Sequence, residues 1–230
     1  MDTLTAADAP LSTVEVTTGP RPDTSIVWLH GLGADGHDFE PIVEELDLPL
    51  AVRFVFPHAP VRPVTINGGL AMRAWYDFLS LDFGRGEQAV DIQASTAAVT
   101  ALLAREEERG IAADRIVLAG FSQGGVIALH AGLRYPRRLA GIVALSTYLP
   151  LATALEAERA PAQAGLPVFL AHGEADPIIP VTQGQAAARW LLDHGHAVEA
   201  SGYPMAHAVC AEEIRDLRSW LLGVLGPRPA

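Results

Sequence analysis

The feature that most limits the fold of this chain is an alternation. Short β-rich apolar runs occur at 12–17, 25–29, 53–56, 115–119, 141–146, 168–172 and 198–203. Segments of helical periodicity, clearest at 39–46, 90–109, 125–135, 182–193 and 211–225, separate most of them. Strands alternating with helices predict a mostly parallel sheet with helices on both faces, because a parallel crossover needs a helix-length connection. Several runs are continuously apolar, as strands buried on both faces are. The first run, TVEVTT, alternates instead and predicts an antiparallel edge strand. The expected class is therefore α/β, with a central sheet of about seven strands. The 230 residues, half of them hydrophobic, suit one such domain over 11–230 behind a flexible leader at 1–10.

Two connections carry information. Between the run that ends near Ser146 and the run that starts at Val168 there is room for a short helix and not for a cap domain. The stretch PHAPVRPVTINGG, 57–69, is punctuated by proline and glycine and reads as a long irregular loop. Loops of that length in compact domains are commonly functional.

Charge and cysteine content exclude several functions. The net charge is −11, the 16 basic residues are all arginine, and the densest basic cluster is the short YPRR at 135–138. A nucleic-acid partner would need a basic stripe. A single cysteine, Cys210, forbids an internal disulfide and a cysteine-based zinc site. It suits the reducing cytoplasm, and Cys210 itself is expected to pack as a small apolar residue. The opening residues lack the basic and apolar regions of a secretory signal. The longest uncharged run, 139–155, is broken by Ser146, Thr147, Tyr148 and Pro150, so it predicts a buried strand with its exit loop rather than a stable membrane insertion.

Against this frame one motif stands out. Gly120-Phe121-Ser122-Gln123-Gly124 lies where a predicted strand becomes a predicted helix. G-x-S-x-G in that setting is a nucleophile elbow: the turn is so tight that positions two residues either side of the serine must lack a side chain. The following helix aims its dipole and free N–H groups at the same point.

A serine needs a base, and the base needs an orienting carboxylate. On this architecture the chain order is serine, acid, histidine, with each partner just after a strand. Asp176, in HGEADPIIP, follows the run 168–172; Glu174 competes, but it lies closer to the strand end. His207 follows the last strand and precedes the last helix. His30, His37, His58 and His130 precede the acid and fail the order test; His172 ends a strand, and His194 and His196 flank a helix end. For the developing oxyanion, one donor is the Gln123 N–H and the other is the Leu32 N–H. Leu32 lies in the glycine-bearing loop HGLGADG, which matches neither G-x-G-x-x-G nor a phosphate-binding loop with its lysine.

Six motifs in order, LHGLGADG, PHAPVRPVTINGG, MRAWYD, GFSQGG, HGEADPIIP and YPMAHAVC, span almost the whole chain. Together they resemble the phospholipase/carboxylesterase family of small α/β hydrolases, which includes bacterial carboxylesterases and acyl-protein thioesterases. The resemblance implies an α/β-hydrolase fold without a cap. It implies the same triad, Ser122, Asp176 and His207, and the same oxyanion donors, Leu32 and Gln123. It adds Trp75, within MRAWYD, as a residue lining the acyl site. Relatives often carry aspartate where this chain has Glu174. Members are often dimers, which leaves a homodimer open.

The expected activity is hydrolysis of small- to medium-chain carboxylic esters through an acyl-enzyme on Ser122, with no metal or organic cofactor. Leu32, Trp75, Phe121, Ile178 and Ile179 are apolar and favour an uncharged acyl group; Leu79 and its neighbours to Leu81 border the same pocket. A thioesterase or lysophospholipase would use the same machinery, and a non-catalytic binding protein could share the fold.

Overall fold

The computed structural model describes residues 10–80 and 89–226, so nine of the ten leader residues fall outside the described residues. The seven predicted strands form one sheet. They are β1 (Thr13–Thr17), β2 (Thr24–Leu29), β3 (Val52–Pro57), β6 (Ile116–Phe121), β7 (Gly141–Leu145), β8 (Pro167–Gly173) and β9 (Ala197–Tyr203). Their spatial order is β1-β3-β2-β6-β7-β8-β9. The β1–β3 pair is antiparallel and the others are parallel. The alternating first run is thus the antiparallel edge, half in solvent, whereas every residue of β2 is buried.

Side-chain alternation divides the core between the two faces of the sheet. Val27, Leu29, Ile116 and Leu118 point to one face, under α2 (Ala89–Glu108), α3 (Gln123–Arg134) and α5 (Val181–Asp193). Ile26, Trp28, Val117 and Ala119 point to the other, under α1 (Ile42–Leu46) and α6 (Ala211–Leu225). The helix expected over 39–46 begins only at Ile42. Pro41 disfavours helical backbone at the residue before it, so 39 and 40 stay in turns.

The strand order also fixes where a site can form. From β2 the chain moves outward to β3, then crosses back so that β6 lies on the other side of β2. The carboxyl ends of β2 and β6 therefore adjoin, with Leu29 opposite Gly120. In open α/β sheets a crevice forms at such a reversal, outside the carboxyl ends of the strands.

The stretch 57–69 departs from its expectation as an irregular loop. It contributes β4 (Val61–Val64), which pairs antiparallel with β5 (Leu70–Arg73) in a separate two-stranded sheet. Proline is tolerated here because a two-stranded ribbon leaves half its backbone groups unpaired. Gly68 and Gly69, at φ 67° and 80°, supply the left-handed turn. The connection from β7 to β8 holds the seven-residue α4 (Ala152–Glu158), and no cap domain is present among the described residues. No helix among them is long and apolar enough to cross a membrane.

Glu213, in the first turn of α6, is fully buried, and its carboxyl oxygens have no hydrogen-bond partner of good geometry. Burial raises its pKa to about 8, opposed by the backbone at Cys210. The folded state thus holds a proton that the unfolded chain releases above its ordinary value of 4.5. Stability must fall as pH rises between those two values. Glu213→Gln removes the titration. Its stability relative to the parent is expected to rise by roughly 3 kcal/mol between pH 4.5 and pH 7. Urea unfolding of both proteins at the two pH values checks this; a pH-independent difference would contradict it.

Candidate active site

Ser122 sits between β6 and α3 at φ 55°, ψ −120°, a conformation that non-glycine residues rarely adopt. The flanking glycines make the turn possible. A Cβ on Gly120 would collide with the Gly124 backbone, and one on Gly124 with the carbonyls of Leu29 and His30. The serine caps α3 without using its side chain, which leaves Oγ available.

His207, in the loop between β9 and α6, places Nε2 3.0 Å from Ser122 Oγ. Its Nδ1 lies 2.6 Å from Asp176 Oδ2. The other carboxylate oxygen accepts the N–H groups of Ile178 (2.8 Å) and Ile179 (2.9 Å). With an acceptor-only carboxylate at Nδ1, the proton of a neutral imidazole resides there and Nε2 is left to accept from the serine. Asp176 is buried, and His207 is only partly so. Phe121 packs against the imidazole, ring centroids 4.7 Å apart. Glu174, the competing acid, is exposed to solvent.

His172 is a neighbour that the order rule did not single out. Its Nε2 donates to the Ile179 carbonyl at 2.8 Å and lies 3.5 Å from Asp176 Oδ2. Burial lowers its pKa, so it is neutral at physiological pH. It braces the turn that holds the acid.

Leu32 and Gln123 both line a cavity of about 300 Å³ that opens onto Ser122 and His207. Neither backbone N–H has a partner among the described residues. The Gln123 side chain is occupied elsewhere: Oε1 accepts the Trp75 N–H (3.0 Å), and Nε2 donates to the Tyr76 carbonyl (2.9 Å).

Phe121, Ile178 and Ile179 line the cavity. Trp75 does not. It is fully buried, with its indole N–H donated to the His30 carbonyl at 2.9 Å. A buried indole needs a partner for its one donor, and that partner lies inside the molecule. Tyr76, the next residue, lines the cavity instead; its hydroxyl is 2.9 Å from that of Tyr148, also in the wall. Leu79 is half-buried away from the cavity, and Phe78 takes the place expected of it. Leu81 lies outside the described residues. Tyr148 follows the carboxyl end of β7, and strand order could have flagged it; no sequence signal marks Tyr76 or Phe78. Cys210 packs, partly buried, against the core under α6.

Comparison with known proteins places this fold in a family. Residues 12–224 match the family described as Phospholipase/Carboxylesterase. The chain is 38% identical over 224 residues to an acyl-protein thioesterase 1 of Mycosarcoma maydis, covering 90% of this chain and 93% of that protein. It is 38% identical to an acyl-protein thioesterase 1 of Neurospora crassa, covering 87% and 86%. Among solved structures, acyl-protein thioesterase 2 of Zea mays superposes with a TM-score of 0.81 at 31% identity, over 94% of this chain and 99% of that one. A sheet reversal that presents a serine on a glycine-flanked elbow, in a chain that the family model matches from β1 into α6, leaves one assignment: the chain belongs to the phospholipase/carboxylesterase family of α/β hydrolases and is a serine hydrolase.

Proposed function

We propose that this protein is an acyl thioesterase and esterase, with Ser122 as nucleophile, His207 as base and Asp176 as the acid that orients it. The observation that carries the reading is the unbroken relay from Asp176 through His207 to Ser122, 2.6 Å and 3.0 Å, at the rim of an apolar cavity. Ser122 Oγ attacks the acyl carbonyl as His207 Nε2 takes its proton. The Leu32 and Gln123 N–H groups receive the oxyanion, each worth roughly 3 kcal/mol of barrier. The thiol or alcohol then leaves with the proton from His207. Water, deprotonated by the same imidazole, attacks the acyl-enzyme and releases the carboxylic acid.

The thioester is placed first because the relatives at 36–38% identity are acyl-protein thioesterases. The oxygen-ester reading keeps support from the absence of a cap among the described residues, which leaves the cavity open to compact substrates. One comparison decides between them: initial rates on an S-acyl and an O-acyl substrate of identical acyl chain, from acetyl to palmitoyl. A thioesterase gives the larger kcat/KM on the S-acyl series by at least tenfold. Equal or reversed values would return the assignment to a carboxylesterase of small esters. An optimum at the short end of both series would support the open cavity; a steady rise to palmitoyl would contradict it.

A further inference from the structure

His30 has no part in the triad, yet it is 1% exposed and both of its ring nitrogens are engaged. Nε2 accepts the Ala59 N–H at 3.0 Å. A neutral imidazole that accepts at Nε2 carries its proton on Nδ1. That Nδ1–H is donated to the Gly31 carbonyl at 2.7 Å. Burial pushes the pKa down to about 4, which keeps the ring uncharged across the neutral range.

The Gly31 carbonyl is half of a peptide unit whose other half is the Leu32 N–H. In a planar trans peptide the C=O and N–H point in opposite directions. A donor that grips the oxygen from behind therefore aims the hydrogen forward, and polarises it.

The second oxyanion donor is built the same way. The Gln123 N–H shares its peptide with the Ser122 carbonyl. That oxygen accepts Thr147 Oγ1–H at 2.7 Å, in addition to the backbone N–H groups of Gly125 and Val126. Thr147 is fully buried at the exit of β7, and it reaches this close because residue 125 is glycine: a Cβ there would lie 2.7 Å from the Thr147 Cβ. Trp75 links the two halves, since its indole holds the His30 carbonyl and its backbone N–H holds the Gln123 side chain.

We propose that His30 and Thr147 are positioning residues, each gripping the carbonyl of one peptide so that its N–H is aimed at the oxyanion. This inference rests on the functional reading above. A misaimed donor harms the transition state more than substrate binding, so the effect belongs in kcat.

The test uses paired variants. Thr147→Val keeps the shape and deletes the hydroxyl, whereas Thr147→Ser keeps the hydroxyl. His30→Gln offers an acceptor for Ala59 but no donor at the Nδ1 position; His30→Asn offers the donor and gives up that acceptor. Thr147→Val and His30→Gln are expected to lower kcat tenfold or more at a KM within twofold. The same two should weaken binding of an alkyl trifluoromethyl ketone, held as its hemiketal oxyanion, by a similar factor. Thr147→Ser and His30→Asn should stay within about threefold of the parent on both readings. Melting temperatures separate this from a general loss of structure, and if His30→Gln does not fold, the Thr147 pair carries the test on the other donor. Variants lacking the grip with kcat within twofold of the parent, or with losses confined to KM, would overturn the inference and leave the functional reading intact. A parent protein inactive on both ester classes would overturn both.

Discussion

Ser122→Ala is expected to lower kcat by about 10⁶-fold on thioesters and oxygen esters alike, with KM nearly unchanged. The structure supplies the reason for so large a loss. Tyr76 and Tyr148 also line the cavity, but their hydroxyls are buried against one another at 2.9 Å. His207 Nε2 lies 3.0 Å from the serine Oγ, so in the proposed mechanism the alanine variant leaves the base without the hydroxyl it activates. Residual turnover would come from the oxyanion donors and from substrate binding, which survive the substitution. Because nucleophile and base act as one unit, His207→Ala should cost a similar factor, and the double variant little more than either alone. Rates with enzyme in large excess, beside a blank without protein, have the range to measure this. A Ser122→Ala protein within tenfold of the parent would remove Ser122 as nucleophile and with it the proposed acyl-enzyme.

The fold was legible because its main constraint is one-dimensional. Strand-length runs alternating with helical segments point to one mostly parallel sheet, and each of the seven runs appears in it. The proximity of Ser122, Asp176 and His207 could be expected for a related reason: each follows a strand, and the carboxyl ends of parallel strands share one edge. The part of the cavity wall built by residues 75–79 was not legible. Which of Trp75 and Tyr76 turns inward depends on whether an indole N–H finds a carbonyl at residue 30, a contact across 45 residues of chain. The hairpin of β4 and β5 was hidden because the prolines and glycines that punctuate a loop also serve a ribbon whose outer edges are unpaired. His30 and Thr147 were invisible as a pair. Their common role lies in the direction of two peptide planes, and no residue type or spacing encodes that direction.

Asp176→Asn tests the orienting role with almost no change in volume, and kcat is expected to fall by about 10⁴-fold. The hydrogen-bond pattern dictates how the amide must sit. Two backbone donors, Ile178 and Ile179, point at Oδ1, so the asparagine oxygen must face them. Its NH₂ group is then turned toward His207 Nδ1, where Asp176 presents Oδ2 at 2.6 Å. A donor facing Nδ1 forces that nitrogen to accept, and the imidazole proton moves to Nε2. There it points at Ser122, and the base can no longer take the serine proton. His172 does not substitute, since its Nε2 is committed to the Ile179 carbonyl. Glu174→Gln is the matched control: that carboxyl is exposed, and kcat should stay within about twofold of the parent. NMR of the imidazole N–H protons reads the tautomer directly. A large loss in Asp176→Asn with the proton still on Nδ1 would mean that the acid acts through its charge rather than by orienting the ring. A large loss in Glu174→Gln with Asp176→Asn active would transfer the role to the other carboxylate.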